Sequence, residues 1–282
     1  MADYEEPPQV GAADDDQDTG LTSRRKVLGA IGGLGIGATA LGIAAGAAAG
    51  QAGATETGVA GAGAAEAGAE GGVRPAAYVP ACVLSPESIE GPYYIDSTIL
   101  RSNITEGKPG VPLRLQLVVS NARTCTPIKD AAVDVWHCDA VGQYSGFLAG
   151  TARPGTQGVP TDPSRFLRGT QVSDATGATN FVTVYPGWYQ GRAIHIHIKV
   201  HVGGSTVHTG QLYFSDSLSD QIARLQPYAS HTIRRLRNYE DMIYRSSGGA
   251  STTLTLTPLG GSITDGYRTS IVVGVDPYAS PA

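Results

Sequence analysis

Three cysteines in 282 residues, Cys82, Cys125 and Cys138, include no C-x-x-C pair. They are too few for a disulfide scaffold and wrongly spaced for a structural zinc site, so at most one bridge forms and one thiol is left over. Charged residues are also sparse, at 16%, and the net charge of -5 is unevenly placed. From Ala77 onward 16 basic residues meet 15 acidic ones, a balance that argues against a nucleic-acid binder, which would show a basic excess or stripe. No internal repeat of solenoid or propeller length occurs. Apolar material, in contrast, is ample: 41% hydrophobic residues suffice for one sizeable core and rule out disorder of the whole chain.

All of the acidic excess lies before Ala77. Residues Thr22-Ser23-Arg24-Arg25-Lys26-Val27-Leu28 put paired arginines directly ahead of 23 uncharged residues, Val27 to Ala49, made mostly of Gly, Ala, Leu and Ile. This stretch resembles a twin-arginine (Tat) export signal, with small residues for cleavage at Ala47-Ala48-Ala49. A run of 23 apolar residues could also cross ~30 Å of hydrocarbon. Its Gly and Ala content makes it weakly hydrophobic, which favours a cleaved signal over a retained anchor. Residues 1–49 are therefore expected to engage the Tat export machinery, giving a secreted or cell-surface protein, membrane-anchored where the signal stays uncleaved. Residues 50–76, rich in Gly and Ala with scattered Glu, read as a flexible linker. The functional domain is expected over residues 77–282.

That domain reads as strand-rich. Apolar and polar residues alternate over Leu113–Val119, Ala132–His137, Gly169–Val172, Asn180–Val184, Ile194–Val202, Val207–Phe214, Ser251–Leu256 and Ser270–Gly274, the period of half-buried strands. Turn formers such as Asp174-Ala175-Thr176-Gly177, Gly203-Gly204 and Asp265-Gly266 separate them. The pattern predicts an all-β, antiparallel β-sandwich with one or two short helices: one over Leu218–Leu225, capped by Ser217 or Ser219, and a second over about Thr232–Tyr244.

The chemistry concentrates in Gly191-Arg192-Ala193-Ile194-His195-Ile196-His197-Ile198. On a strand His195 and His197 face one way and the isoleucines the other, so two imidazoles converge against an apolar ridge. Neutral imidazole is the commonest metal ligand, although H-x-H alone also suits a solvated strand face. A cupin would need a glutamate just downstream, where this chain has Lys199, Val200, His201 and Val202. A ferrous facial triad would need a carboxylate, with Asp216 or Asp220 available only by elimination. A zinc hydrolase would want His201 or His208, with no spacing rule to favour either.

The neighbouring motifs narrow this choice. Glu90-Gly91-Pro92-Tyr93-Tyr94, then Val135-Trp136-His137-Cys138-Asp139-Ala140-Val141-Gly142-Gln143-Tyr144, then Pro186-Gly187-Trp188-Tyr189, then Arg192 with His195 and His197 follow in one order. Together they resemble the intradiol ring-cleavage dioxygenases, the family of catechol 1,2-dioxygenase and protocatechuate 3,4-dioxygenase, and closer to a shorter secreted branch. The resemblance implies a Fe(III) site held by Tyr144, Tyr189, His195 and His197, with Tyr189 the ligand that a small catecholic substrate displaces. A phenol of ordinary pKa ~10 binds as phenolate only beside a strongly charged cation, which suits Fe(III). The implied reaction uses O2 to give a cis,cis-muconate-type diacid. Arg192 corresponds to the family's active-site arginine, yet its odd offset from His195 turns it away from the histidines unless the chain bends before Ile194. Gln211 aligns with a glutamine near the substrate, and Tyr93 fits the pocket rim. A homodimer is left open. The alternative is a secreted, non-catalytic sandwich module with a vestigial metal site.

Overall fold

The computed structural model describes residues 83–96, 99–148 and 158–279. The expected signal (1–49) and linker (50–76) lie outside the described residues. Among the described residues eight strands form two four-stranded sheets: β1 (Pro112–Asn121), β2 (Ala132–Trp136), β3 (Arg168–Val172), β4 (Ala178–Val184), β5 (His195–Val202), β6 (Ser205–Tyr213), β7 (Thr257–Pro258) and β8 (Tyr267–Val275). One sheet runs β4-β1-β8-β7 and the other β3-β2-β5-β6. Every strand pair is antiparallel except β1 with β8, which run parallel from Leu113 opposite Tyr267 to Asn121 opposite Val275. The sandwich read from the alternation thus holds, with one parallel pair inside it.

The alternation explains the packing. Leu113, Leu115, Leu117 and Val119 of β1 point into the core while Arg114 points out. They meet Val133 and Val135 of β2 and Ile196, Ile198 and Val200 of β5 between the sheets. Strand β5 is buried on both faces. Its inner isoleucines fill the core, and a strap of chain crosses its outer face. The Ser88 amide donates to the Thr209 carbonyl (2.9 Å), Lys199 pairs with Glu90, and Tyr94 donates to Asp134 (2.8 Å). This double cover makes β5 a dry platform.

Three expectations are corrected. Ser251–Leu256 is not a strand: only Thr253 bridges to Tyr213, and the two-residue β7 follows. The hydroxyls of Ser251, Thr252 and Thr253 donate back to the Gly248 and Gly249 carbonyls, a local alternative that holds the chain in turns. The first helix, α1 (Asp216–Ile222), starts earlier than expected and is capped by Ser215, whose Oγ accepts from the Leu218 amide. The stretch from Thr232 is not one helix. Arg235 pairs with Asp216 and Asp220, and the Asn238 amide donates to Asp216, which pins the segment to α1 as irregular chain. Only a 3-10 turn at Asn238–Glu240 and a short α2 (Met242–Ser246) form there. Cys125 is disulfide-bonded, and Cys138 is a buried free thiol.

Two buried histidines make the fold acid-sensitive. His137 donates from Nδ1 to the Cys138 carbonyl (2.7 Å) and accepts at Nε2 from Thr183 of the other sheet (2.7 Å). Burial pulls both His137 and His208 down to about 4. The unfolded chain therefore binds the extra protons, so stability present above pH 6.5 is lost as pH falls toward 4, by on the order of 3 kcal/mol for each group. Urea midpoints of the metal-free protein should drop between pH 7 and pH 4, and His208→Asn should remove part of that slope. A midpoint independent of pH would contradict the assignment.

Candidate metal centre and active site

Strand period places His195 and His197 on the outer face of β5, and register sets their neighbours: Tyr213 opposite His195, and Trp136 and Gln211 on either side of His197. The indole of Trp136 stacks on the His197 ring (4.8 Å between centroids, 7° between planes), fixing its orientation. The two Nε2 atoms lie 3.0 Å apart. His195 Nδ1 donates to the Ala193 carbonyl (2.7 Å), so its Nε2 carries a lone pair. Burial, reinforced by the Arg192 charge, holds both imidazoles well below their usual pKa and therefore neutral.

The tyrosines arrive on two turns that interlock through glycine. Gly142 has φ +82°, and a Cβ there would lie 2.1 Å from the Trp188 carbonyl oxygen. A Cβ on Gly187 would lie 2.5 Å from the carbonyl oxygens of both Asp139 and Ala140. The glycines of G-x-Y and P-G-x-Y thus let the two turns touch backbone to backbone, which sets Tyr144 and Tyr189 side by side. Arg168 steadies the first turn, donating from Nε and a terminal nitrogen to the Oγ and carbonyl of Ser145 (2.8 Å each). Gly142→Ala should destabilise the domain by about 3 kcal/mol through strain and the clash. A melting temperature within 2 °C of wild type would show that the turns do not need this contact.

The four rings form one cluster. Centroids lie 5.7 Å apart for Tyr144 and Tyr189, 5.7 Å for Tyr189 and His195, 4.6 Å for His195 and His197, and 6.2 Å for Tyr144 and His197. Burial raises both phenols above the usual tyrosine pKa; for Tyr189 the Arg192 charge opposes the shift without reversing it. The Tyr144 hydroxyl is buried with no hydrogen-bond partner among the described residues. Tyr93 stacks flat on Tyr144 (4.3 Å, 12°) and edge-on to Tyr189 (5.8 Å), so it walls the same cluster.

Arg192 sits just before β5, where the chain bends at Ile194, so strand parity does not govern it. Its NH1 lies 3.3 Å from the Tyr189 hydroxyl and 3.4 Å from His195 Nε2. Its NH2 donates to Gln211 Oε1 (2.5 Å) and reaches the Tyr213 hydroxyl (3.3 Å), and its Nε donates to Asp241 (3.0 Å). Gln211 is spent behind the arginine: its Oε1 also accepts from Tyr213 (2.8 Å), and its Nε2 donates to the Ile89 carbonyl (2.9 Å). Sequence reasoning missed Tyr213 and Asp241. An aspartate ahead of Met242-Ile243-Tyr244 signals a helix cap, but nothing local signals its pairing with Arg192.

The donor set fits a metal ion. Two metal–imidazole bonds of about 2.1 Å at a right angle would separate their nitrogens by roughly 3 Å, the spacing the two Nε2 atoms have. Among the described residues no group of three His, Cys, Asp or Glu side chains could hold an ion, so a metal here would draw on the phenols. The unpartnered Tyr144 hydroxyl is one such donor.

Residues 89–247, more than half of the chain, match the family model described as dioxygenase (Dioxygenase_C). The chain belongs to the intradiol ring-cleavage dioxygenase family. An intradiol ring-cleavage dioxygenase of Tetranychus urticae is similar at 38% identity, covering 71% of this chain and 98% of that one with a TM-score of 0.67. The dioxygenase domain of a carbohydrate-binding fusion from Streptomyces sp. SirexAA-E is similar at 26% identity over 69% of this chain and 99% of that one, with a TM-score of 0.50. A chlorocatechol 1,2-dioxygenase of Cupriavidus pinatubonensis is 33% identical over 141 residues, 46% of this chain and 54% of that protein, so the chain matches about half the length of this relative. The matched range of the family model contains all seven residues singled out from the motifs: Tyr93, Tyr144, Tyr189, Arg192, His195, His197 and Gln211.

Proposed function

We propose that the chain is a non-haem Fe(III) intradiol dioxygenase that cleaves catechol-type rings with O2 between the hydroxyl-bearing carbons, giving cis,cis-muconate-type diacids. The observation that carries this is a buried cluster of two neutral imidazoles, Nε2 to Nε2 at 3.0 Å, beside an unpartnered phenol, in a chain of this family. Tyr144, Tyr189, His195 and His197 would hold the ion. When bound, Fe(III) would supply the Lewis acidity that lets a catechol bind as its dianion and makes the ring the target of O2.

The two tyrosines have different work. The Tyr189 oxygen accepts from the Arg192 guanidinium, a charge-assisted bond that stabilises its anion away from any metal, so Tyr189 is the group fitted to take up a catechol proton. The Tyr144 oxygen has no competing donor among the described residues and would remain a ligand. Arg192 NH1, turned toward Tyr189 and His195, donates to negative charge that builds on the substrate. Tyr93 packs against the ring-binding side, and Gln211 keeps Arg192 in place. A non-catalytic module with a vestigial site is disfavoured, because leaving a buried hydroxyl unsatisfied costs about 1–3 kcal/mol and phenylalanine at 144 would remove that cost. Residues 1–49, read as a twin-arginine signal, would export the protein already folded and loaded with iron.

The test is reconstitution with iron, followed by an oxygen electrode with catechol. The expected result is a burgundy protein that consumes one O2 per catechol and forms a ring-opened diacid. Colourless protein without oxygen uptake after ferric loading would overturn the reading.

A further inference from the structure

We infer that Asp241 is a positioning residue that sets Arg192 and His195 as one unit, an inference that rests on the catalytic reading above. Asp241 lies 49 residues from Arg192 in sequence, and its carboxylate is buried. Each oxygen serves a different segment. Oδ1 accepts from the amides of Ile243 (2.8 Å) and Tyr244 (3.3 Å), capping α2. Oδ2 accepts from Arg192 Nε (3.0 Å) and from the Ala193 amide (2.9 Å).

The second pair of bonds has two consequences for the site. With Nε held by Asp241 and NH2 held by Gln211 and Tyr213, the planar guanidinium has one terminal nitrogen left, NH1, and it is the one beside Tyr189 and His195. Ala193 is a pivot: its amide is fixed by Asp241, and its carbonyl receives the Nδ1 proton of His195. One carboxylate therefore orients the arginine side chain and, through the backbone, the tautomer and direction of one imidazole. The residue also supplies the only carboxylate paired with the buried Arg192 among the described residues. Without it a buried cation would stand uncompensated next to two imidazoles, and the guanidinium would be free to turn.

Asp241→Asn separates this role from helix capping, because asparagine caps as well as aspartate. Its single oxygen cannot serve both segments, and its amide group opposes the donors of Arg192 and Ala193. In the iron-loaded protein kcat/KM for catechol should fall about 100-fold in Asp241→Asn. In an Arg192→Lys background the same change should cost about tenfold, the share that acts through Ala193 and His195, because residues acting as a unit are not additive. In the metal-free full chain, 15N NMR should show His195 protonated at Nδ1 in wild type and shifted toward a mixture of tautomers in Asp241→Asn. If Asp241→Asn does not fold, Asp241→Ser keeps a capping hydroxyl and is too short to reach Arg192. Additive losses, or an unchanged His195 spectrum, would overturn the inference. Absence of turnover in wild type would instead sink the catalytic reading, while the metal-free spectrum would still decide the role of Asp241.

Discussion

Tyr144→Phe is expected to give a folded, colourless protein that holds no ferric iron and has lost more than 1000-fold in turnover of catechol. The loss follows from the donor set, because without this oxygen two imidazoles and one phenol remain, and that phenol is already engaged by Arg192. The same substitution should leave the metal-free protein slightly more stable, by about 1 kcal/mol, since it removes a buried hydroxyl that has no partner among the described residues. Opposite signs for stability and metal binding mark a residue kept for function. Elemental analysis with thermal unfolding of the metal-free protein checks both. Iron retained at wild-type stoichiometry would remove Tyr144 from the ligand set.

The second large effect belongs to Arg192. Arg192→Lys keeps a positive charge but cannot reach Asp241, Gln211 and the Tyr189 side at once, because an ammonium is a point charge and a guanidinium a planar fork. Removing one preorganised donor to developing negative charge typically costs about 3–4 kcal/mol, so kcat/KM for catechol should fall about 100- to 1000-fold with iron content unchanged. Steady-state oxygen uptake alongside the visible spectrum separates the two effects. Activity within threefold of wild type, with colour intact, would show that Arg192 plays no part in the chemistry.

Parts of the site are open to sequence reasoning for reasons of local geometry. His195 and His197 alternate with Ile194, Ile196 and Ile198, and a strand that buries the isoleucines must turn both imidazoles to its other face. Tyr144 and Tyr189 carry no periodic signal and emerge only through the order of the motifs. The reason for the glycines in those motifs is visible in space, where Gly142 meets Trp188 and Gly187 meets Asp139 and Ala140. Strand parity alone cannot place Arg192, since whether it belongs to β5 depends on where the ladder starts, and the ladder starts at His195. Gln211 is legible as a residue of the site, but its place behind the guanidinium is not.

Residue order alone determined the sandwich pattern and the shared face of the two histidines. It also determined the near-neutral charge from Ala77 onward, because alternation and composition are properties of neighbouring residues. Tertiary structure decided which distant groups meet: Asp241 with Arg192 and Ala193, Arg168 with Ser145, the strap from Ser88 with the outer face of β5, and the parallel pairing of β1 with β8. It also broke the expected helix from Thr232, where ion pairs to α1 outweigh a weak helical pattern. Such contacts form only when the sheets pack in one register, and the burial that selects that register is summed over the whole core, which no single segment can encode.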